Sequence, residues 1–176
     1  MSKSILMHEN GGPEKMVLED VEVGKPGPGQ VKVKHTAIGL NFIDVYTRSG
    51  LYQTPLPNAV GREAAGVIVE VGPRVRGFKK GDRVAYCGVL GAYCQERLMG
   101  TEQLVKVPKG VSDEQAAAIM LKGMTTEYLV DHCAKPWLKK GDIVLFHAAA
   151  GGVGLLFGQW AKARGYKCIG TVSSPE

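Results

Sequence analysis

A glycine-rich loop in the last third of the chain has the spacing of a phosphate-binding site. The frame G-x-G-x-x-G, with alanine in place of its first glycine, is filled by Ala149, Ala150, Gly151, Gly152, Val153 and Gly154. The loop follows the apolar run 143–146 and opens a segment in which apolar residues recur at helical spacing. Main-chain N–H groups and the partial positive charge at such a helix start can bind a pyrophosphate. This context predicts a dinucleotide site, with a ligand-free turn between strand and helix as the alternative.

The glycines of the loop have separate predicted roles. Gly151 and Gly152 have no Cβ, so the main chain can approach the pyrophosphate closely, whereas Gly154 lets the helix lie close to the strand. Two neutral residues, Ser173 and Ser174, follow about 20 residues after the loop, where an NAD-binding unit carries an acidic residue for the ribose. Hydroxyl groups do not repel a 2′-phosphate, so the serines favour NADPH over NADH. The alternative is that the serines form only a turn.

The elements that must position this loop change in character along the chain. The first 110 residues or so contain short apolar segments broken by Gly and Pro, and 30–40 alternates apolar and polar residues with a period of two. These features predict a small barrel or sandwich of strands. A capping box at Ser112 and Gln115 starts a helix, Gly123 weakens it, and a second helical run is predicted from Thr125 to about Cys133. Strand, helix and strand then follow as a parallel unit. The run 143–146 is apolar without alternation, which predicts a strand covered on both faces.

Composition excludes several function classes. The chain has 176 residues with a net charge of +5, but its basic residues are dispersed and do not predict a nucleic-acid partner. No apolar run approaches the ~20 residues that a membrane span needs, and the first residues do not form a signal peptide. The four cysteines contain no CxxC pair and indicate no disulfide framework. We therefore expect a cytoplasmic protein with reduced thiols.

Three segments, taken together, resemble the zinc-free quinone oxidoreductases (ζ-crystallin-like) of the medium-chain dehydrogenase/reductase superfamily. They are 39–52, the pair of blocks 61–72 and 81–84, and 146–154. The resemblance runs in collinear order through essentially the whole chain. It implies a mixed α and β fold, with a GroES-like β-barrel catalytic domain at 1–124. The first βαβ portion of a Rossmann domain, incomplete, follows at 125–176.

The same resemblance implies a function and a set of site residues. Reducing equivalents pass from NADPH to a quinone, and the full-length protein is a homodimer. Asn41, Tyr46 and Tyr52 face the catalytic cleft, where Asn41 can bind the nicotinamide carboxamide or the acceptor oxygen. Met124 and Thr125, placed in a break between two helices, lie beside the nicotinamide. For the tyrosines the alternative is a barrel cap, and for Met124 and Thr125 it is an ordinary helix cap.

The residues themselves predict a site without a metal. Zinc-dependent relatives carry Cys at the position of Asn41 and His at the position of Arg62. An amide is a poor ligand for zinc and a guanidinium is none. Cys87 and Cys94 lack the spacing of a structural zinc cluster. Glu63 is expected to brace the loop rather than act as an acid.

Two other functions stay open at this point. An NADPH-dependent reductase of enoyl or alkenal substrates would use the same scaffold, and the sequence barely separates it from a quinone reductase. A non-catalytic role, crystallin-like or in binding nucleic acid, is the second alternative. Because a complete doubly wound domain has six strands, we expect either that the sequence is truncated or that another chain completes the fold. We expect the chain alone to have little or no turnover.

Overall fold

The computed structural model describes residues 1–174. The chain divides into two compact units, Met1–Met120 and Leu121–Glu176. The predicted boundary after residue 124 lies close to this division and stays a prediction. Each unit is described below by itself.

Antiparallel strands form most of the first unit. The strands are β1 (Ser2–Met7), β2 (Val17–Val21), β3 (Gln30–Gly39), β4 (Asn58–Ala59), β5 (Glu63–Val71), β6 (Arg83–Cys87), β7 (Glu96–Gly100) and β8 (Val105–Lys106). Five of them make a sheet in the order β7-β3-β5-β6-β8, and three make a second sheet in the order β2-β1-β4. Shortly before β7, Cys94 makes a single bridge to Ser4.

The long strand β3 has the predicted alternation, and it explains where the core lies. Val31 and Val33 are fully buried while Lys34 and Thr36 are exposed. Their inward side chains pack with Ile68 and other buried residues of the same cluster. The register between β3 and β5 shifts twice, and such irregularities bend and twist a strand pair. These shifts allow the sheet to curve as a barrel wall does, and a barrel is one of the two architectures that the strand pattern predicts.

One short helix of this unit buries polar side chains and exposes an apolar one. α1 (Phe42–Arg48) begins after Asn41 and buries Asp44 and Thr47, whereas 69% of Phe42 is exposed. The buried Asp44 carboxylate accepts hydrogen bonds from the Asn41 N–H (3.0 Å) and the Tyr93 hydroxyl (2.9 Å). Both bonds end on Oδ2, and within residues 1–174 the buried Oδ1 has no hydrogen-bond partner, so the two bonds offset only part of the cost of burying this carboxylate.

The predicted break at Gly123 is wrong, because a single helix continues through it. α2 (Asp113–Glu127) begins with the predicted capping box, in which the Gln115 N–H donates to the Ser112 hydroxyl (3.1 Å). A glycine inside a helix costs only about 1 kcal/mol. A π-helical segment (Tyr128–Ala134) follows directly, in place of a second α-helical run.

The remainder of the second unit is a strand, a helix and a strand. β9 (Ile143–Phe146) pairs in parallel with β10 (Lys167–Gly170), and α3 (Gly152–Ala163) connects them. α3 buries Phe157 and Ala161 against Val130. In the described residues this sheet has two strands, so Ile143 and Leu145 are exposed instead of covered on both faces as the apolar run predicts.

Candidate functional site

Hydrogen bonds to the segment after β10 hold the glycine loop in place. The Ala149 N–H donates to the Thr171 carbonyl (2.9 Å), and the Gly151 N–H donates to the Ala148 carbonyl (2.9 Å). Ala148 has a left-handed backbone with φ of 57°, which costs an L-residue about 1–2 kcal/mol. The loop is therefore a tight, anchored turn that ends at Gly151, the N-cap of α3.

Gly154 lies where α3 meets this turn, as the sequence predicts. A Cβ on Gly154 would lie 2.5 Å from the Ala149 carbonyl oxygen and 2.6 Å from that of Ala148. Gly152 has a different neighbour, since a Cβ there would lie 2.9 Å from both Cδ and Cε of Lys122. The absence of a side chain at Gly152 thus accommodates a lysine stem from α2, a role that the motif alone does not reveal.

A cavity of about 510 Å³ lies beside the loop. It is lined by Ala148, Ala150, Gly151, Thr171, Val172 and Ser173. The structure thus brings Ala150, Gly151 and Ser173 together in one cavity lining. Of the other predicted residues, Gly152, Val153 and Gly154 form the first turn of α3. Ser174 is exposed next to Ser173. The cavity lining contains no acidic side chain, and neither does the first turn of α3. The first N–H groups of a helix have no partner within it, so these residues fit an anionic ligand.

In the first unit, Asn41 is held by a fully buried carboxylate. The Asn41 Nδ2 donates to Glu63 Oε1 at 2.6 Å, and Asn41 itself is 6% exposed. A Cβ on Gly39 would collide with the Glu63 side chain, so glycine at that position makes room for the contact. Glu63 therefore positions the amide, in agreement with its expected bracing role. That Asn41 contacts a ligand stays a prediction.

Sequence reasoning missed Tyr93 as part of this arrangement. Its hydroxyl donates to Asp44, and burial, followed by the charge of Asp44, raises the pKa of Tyr93 above its ordinary value. Gly61, with φ of 89°, lies against the Tyr93 ring, where any side chain would collide. No spacing rule connects Tyr93 to α1, because the contact joins residues 49 positions apart in the chain.

The two predicted tyrosines lie next to each other. The ring centroids of Tyr46 and Tyr52 are 5.4 Å apart, and Phe42 adds an edge-on contact to Tyr46 at 5.2 Å. Phe42 was not among the predicted site residues, although its spacing of four from Tyr46 places both on one helix face. The three rings form a continuous aromatic surface, of which Tyr52 is 48% exposed.

Met124 and Thr125 lie within α2 and not in a helix break. The Thr125 hydroxyl donates to the Leu121 carbonyl (2.8 Å), one turn earlier in the same helix. Met124 is 56% exposed. The predicted contact of both residues with a nicotinamide ring stays a prediction.

The residues at the positions where zinc-dependent relatives carry metal ligands do not fit a metal. The Asn41 amide donates a hydrogen bond to the Glu63 carboxylate, and the Arg62 guanidinium lies 3.4 Å from the Thr47 hydroxyl. Within residues 1–174 no group of three or more His, Cys, Asp and Glu side chains could hold a metal ion. Burial raises the pKa of Cys94 to about 11, which keeps it a thiol rather than the thiolate that binds zinc.

His35 belongs to a hydrogen-bonded group beside Cys94. Its Nδ1 is 2.7 Å from the Cys94 carbonyl oxygen, and its Nε2 is 3.0 Å from the Tyr86 hydroxyl. Burial lowers the pKa of His35 to about 4, so it is neutral at pH 7. This histidine packs the barrel, as its position on an apolar strand face indicates.

The family model described as "Alcohol dehydrogenase GroES-like domain" matches residues 27–142. The chain belongs to this family. Its members share the barrel seen in the first unit, and the fold predicted for the chain, a GroES-like barrel followed by part of a Rossmann domain, is confirmed by this match and by the solved relatives.

Individual relatives agree over the whole chain. The quinone oxidoreductase of Pseudomonas aeruginosa is 53% identical over 178 aligned residues, which cover 100% of this chain and 54% of that protein. The 2-haloacrylate reductase of Burkholderia sp. is 50% identical with the same coverage. The chain thus spans about half the length of the curated relatives it matches, and it is similar to quinone oxidoreductases throughout.

Solved structures give the same result. The quinone oxidoreductase of Pseudomonas syringae pv. tomato DC3000 superposes with a TM-score of 0.94 at 55% identity, covering 99% of this chain and 54% of that one. The Escherichia coli quinone oxidoreductase complexed with NADPH gives a TM-score of 0.92 at 44% identity, covering 98% and 53%. Among the described residues, none of the helices has the length and apolar character needed to cross a membrane.

Proposed function

We propose that the chain carries the acceptor-side domain and the first βαβ unit of a metal-free, NADPH-dependent quinone oxidoreductase. The observation that carries this proposal is a glycine loop with a cavity free of acidic side chains, in a chain that is 53% identical over its whole length to a quinone oxidoreductase. A solved relative that binds NADPH supports the choice of cofactor. Assembly as a homodimer and a cytoplasmic location remain expectations.

The second unit holds the cofactor in this proposal. When bound, NADPH supplies the reducing equivalents. The residues from Ala150 to Gly154 surround its pyrophosphate. The N–H groups of Gly152, Val153 and Gly154 bind it, because the amino end of α3 concentrates donors without a partner in the helix, and positive partial charge, there. Ser173 and Ser174 offer hydroxyls to the 2′-phosphate. Met124 and Thr125 lie beside the nicotinamide.

The first unit orients the acceptor. Glu63 fixes the Asn41 amide, which then hydrogen-bonds the carboxamide or the acceptor oxygen at a constant position. Tyr46 and Tyr52 provide a flat wall against which a planar ring can stack. A quinone is already strongly electrophilic, so correct orientation of the acceptor is sufficient and no Lewis acid is needed.

Reduction of an activated C=C bond is the second candidate. The 50% identity to a 2-haloacrylate reductase favours it, and the same residues would orient an alkenoate. A panel of quinones, enals, enones and 2-haloacrylates separates the two, since a quinone reductase has the higher kcat/KM on the quinones.

The test compares two proteins. One is the 176-residue chain, and the other is the same residues continued by the remaining half of the Pseudomonas aeruginosa relative. We expect the extended protein to oxidise NADPH with quinones, to prefer NADPH to NADH, and to keep its activity after chelator treatment. The 176-residue chain should show little or no turnover. Equal turnover by the two proteins would refute the proposal. Loss of activity when a chelator removes zinc would refute it as well.

A further inference from the structure

One turn of the second unit has a close counterpart in the first. Lys139, Lys140, Gly141 and Asp142 repeat the sequence of 79–82. The Lys139 N–H donates to the Asp142 carboxylate (2.8 Å), and the corresponding bond within 79–82 is 3.1 Å. Both turns also have their glycine at positive φ, 97° and 89°. The two turns therefore share one local geometry, so a residue beside only one of them is not required by the turn.

The residue two positions before the turn differs between the two units. It is Trp137 in the second unit and Gly77 in the first. The Trp137 side chain is 84% exposed, although the equivalent turn forms with no side chain at the corresponding position. The backbone that carries the indole is hydrogen-bonded, since the Trp137 N–H donates to the Ala134 carbonyl (3.0 Å). An ordered turn therefore presents a large aromatic side chain that the turn itself does not need.

The fold collects basic residues beside this indole. The Gly141 N–H donates to the Gly165 carbonyl (2.9 Å), and the Lys167 N–H donates to the Asp142 carbonyl (2.8 Å), so 131–142 and 162–167 meet in one face. With two acidic residues, Asp131 and Asp142, this basic face has a net charge of +4, out of +5 for the whole chain. Its six basic residues are Lys135, Lys139, Lys140, Lys162, Arg164 and Lys167.

Most of the positive charge on the basic face lacks an acidic partner. Arg164 pairs with the Asp131 carboxylate. The five lysines are exposed, and within residues 1–174 none of them forms an ion pair. The carboxyl end of α3 offsets only about half a charge. An excess of positive charge thus surrounds an exposed indole.

From this arrangement we infer that the basic face binds an anionic membrane surface, with its lysines at the lipid headgroups and the Trp137 indole inserted among them. Lysines are attracted to the negative potential of an anionic leaflet. Tryptophan favours the headgroup level, where its ring meets hydrocarbon and its N–H meets water. Since Asp131 holds Arg164, the face offers point charges and not the planar fork that reads nucleic-acid bases. The contact lies on the bilayer, which requires no spanning helix.

The experiment measures how the 176-residue chain partitions onto vesicles in a flotation assay. Vesicles of phosphatidylcholine alone are compared with vesicles that also contain phosphatidylglycerol. Trp137→Ala removes the indole, and Lys139→Gln with Lys140→Gln removes two charges of the basic face. The matched control, Lys79→Gln with Lys80→Gln, makes the same change in the same turn of the first unit. Circular dichroism checks that every variant is folded, and the extended protein described above is measured alongside.

The expected result is selective for the anionic vesicles. The unaltered chain and the extended protein should bind them and leave the neutral vesicles unbound. A lysine at an anionic surface changes partitioning about fivefold, so the pair at Lys139 and Lys140 should weaken it about 25-fold. Trp137→Ala should weaken it about tenfold, the lower end for burial of a large apolar side chain. The control pair should change it less than about threefold, because salt screens charges outside the contact.

Four outcomes would overturn the inference. Equal losses in the two lysine pairs would show that net charge, and not this face, attracts the protein. Unchanged partitioning of Trp137→Ala would remove the indole from the contact. Tighter binding of the chain to a single-stranded oligonucleotide than to the vesicles would assign the face to nucleic acid. Absence of binding by the extended protein would show that the rest of the protein covers the face. The proposed function is unaffected by all four, because it depends on the glycine loop.

Discussion

Replacing Gly154 with alanine tests how closely α3 approaches the loop. The new Cβ would lie 2.5 Å and 2.6 Å from two carbonyl oxygens and 2.6 Å from the Ala149 Cα. Ordinary contacts start near 3.4 Å, so atoms must move by about 0.9 Å. All three neighbours are main-chain atoms of a turn that is hydrogen-bonded to Thr171, and they cannot rotate away as a side chain would.

A second glycine of the same helix supplies the control. Gly158 has nothing within 4 Å of its built Cβ, so Gly158→Ala should stabilise α3 by about 1 kcal/mol through helix propensity alone. Overpacking against a rigid neighbour costs up to about 3 kcal/mol. Since Gly154→Ala gains the same propensity, we expect a net loss of about 2 kcal/mol in the free energy of unfolding. The two variants should then differ by about 3 kcal/mol.

Urea unfolding followed by tryptophan fluorescence measures this difference, because Trp137 and Trp160 both belong to the second unit. The NADPH dissociation constant of Gly154→Ala should rise as well, since the loop must shift to admit the methyl group. A Gly154→Ala variant as stable as Gly158→Ala would show that the helix does not approach the turn as described, and the reasoning would be wrong.

Three further results are expected. The pKa of His35 falls from 6.5 to about 4 on folding, so the unfolded chain binds the proton first. The contribution of neutral His35 to the free energy of unfolding is therefore fully present above pH 6.5 and declines as the pH drops towards 4. Thermal melts across that range should show that His35→Gln removes most of a decline of about 3 kcal/mol. Hydrogen bonds from Thr36, and then those from Arg83, lower the pKa of Asp113. The contribution of ionised Asp113 to the free energy of unfolding is therefore present above the ordinary pKa of 3.8 and is lost as the pH falls below it. Asp113→Asn should flatten the acid side of the plot of stability against pH, and an unchanged plot would contradict this. Tyr93→Phe removes a hydrogen bond to a buried carboxylate and should lower the free energy of unfolding of the first unit by about 1.5–3 kcal/mol, as measured by urea unfolding with circular dichroism; no loss would mean that the bond does not matter.

Local patterns predicted the elements of this chain better than the contacts between them. The alternation in β3 and the capping box before α2 are rules that act within a few residues, and both appear in the structure. Gly123 was predicted to interrupt a helix, but a propensity cost of about 1 kcal/mol is too small to end one whose neighbours favour it. The exposure of Ile143 and Leu145 also differs from prediction, since an apolar run shows what a strand prefers and not which surfaces lie near it.

The candidate site shows the same division. Motif spacing predicted Ala150, Gly151 and Ser173 as cofactor-binding residues. The structure places all three in the lining of one cavity, because strand, loop and helix have a fixed geometry, and their binding of a cofactor stays a prediction. The contacts of Lys122 with Gly152, and of Tyr93 with Asp44, join segments 30 and 49 residues apart. No local spacing rule contains such pairs, so they required coordinates.

The four thiols differ in burial, so their labelling rates can report the opening of each unit. Cys133 and Cys168 are exposed and both belong to the second unit, while Cys87 is half-buried and Cys94 is buried in the first. A reagent such as a maleimide should therefore label the π-helical segment and β10 at once. Cys94 should react only when the barrel opens, so the delay between the two labelling phases gives the opening rate of the barrel in the intact chain.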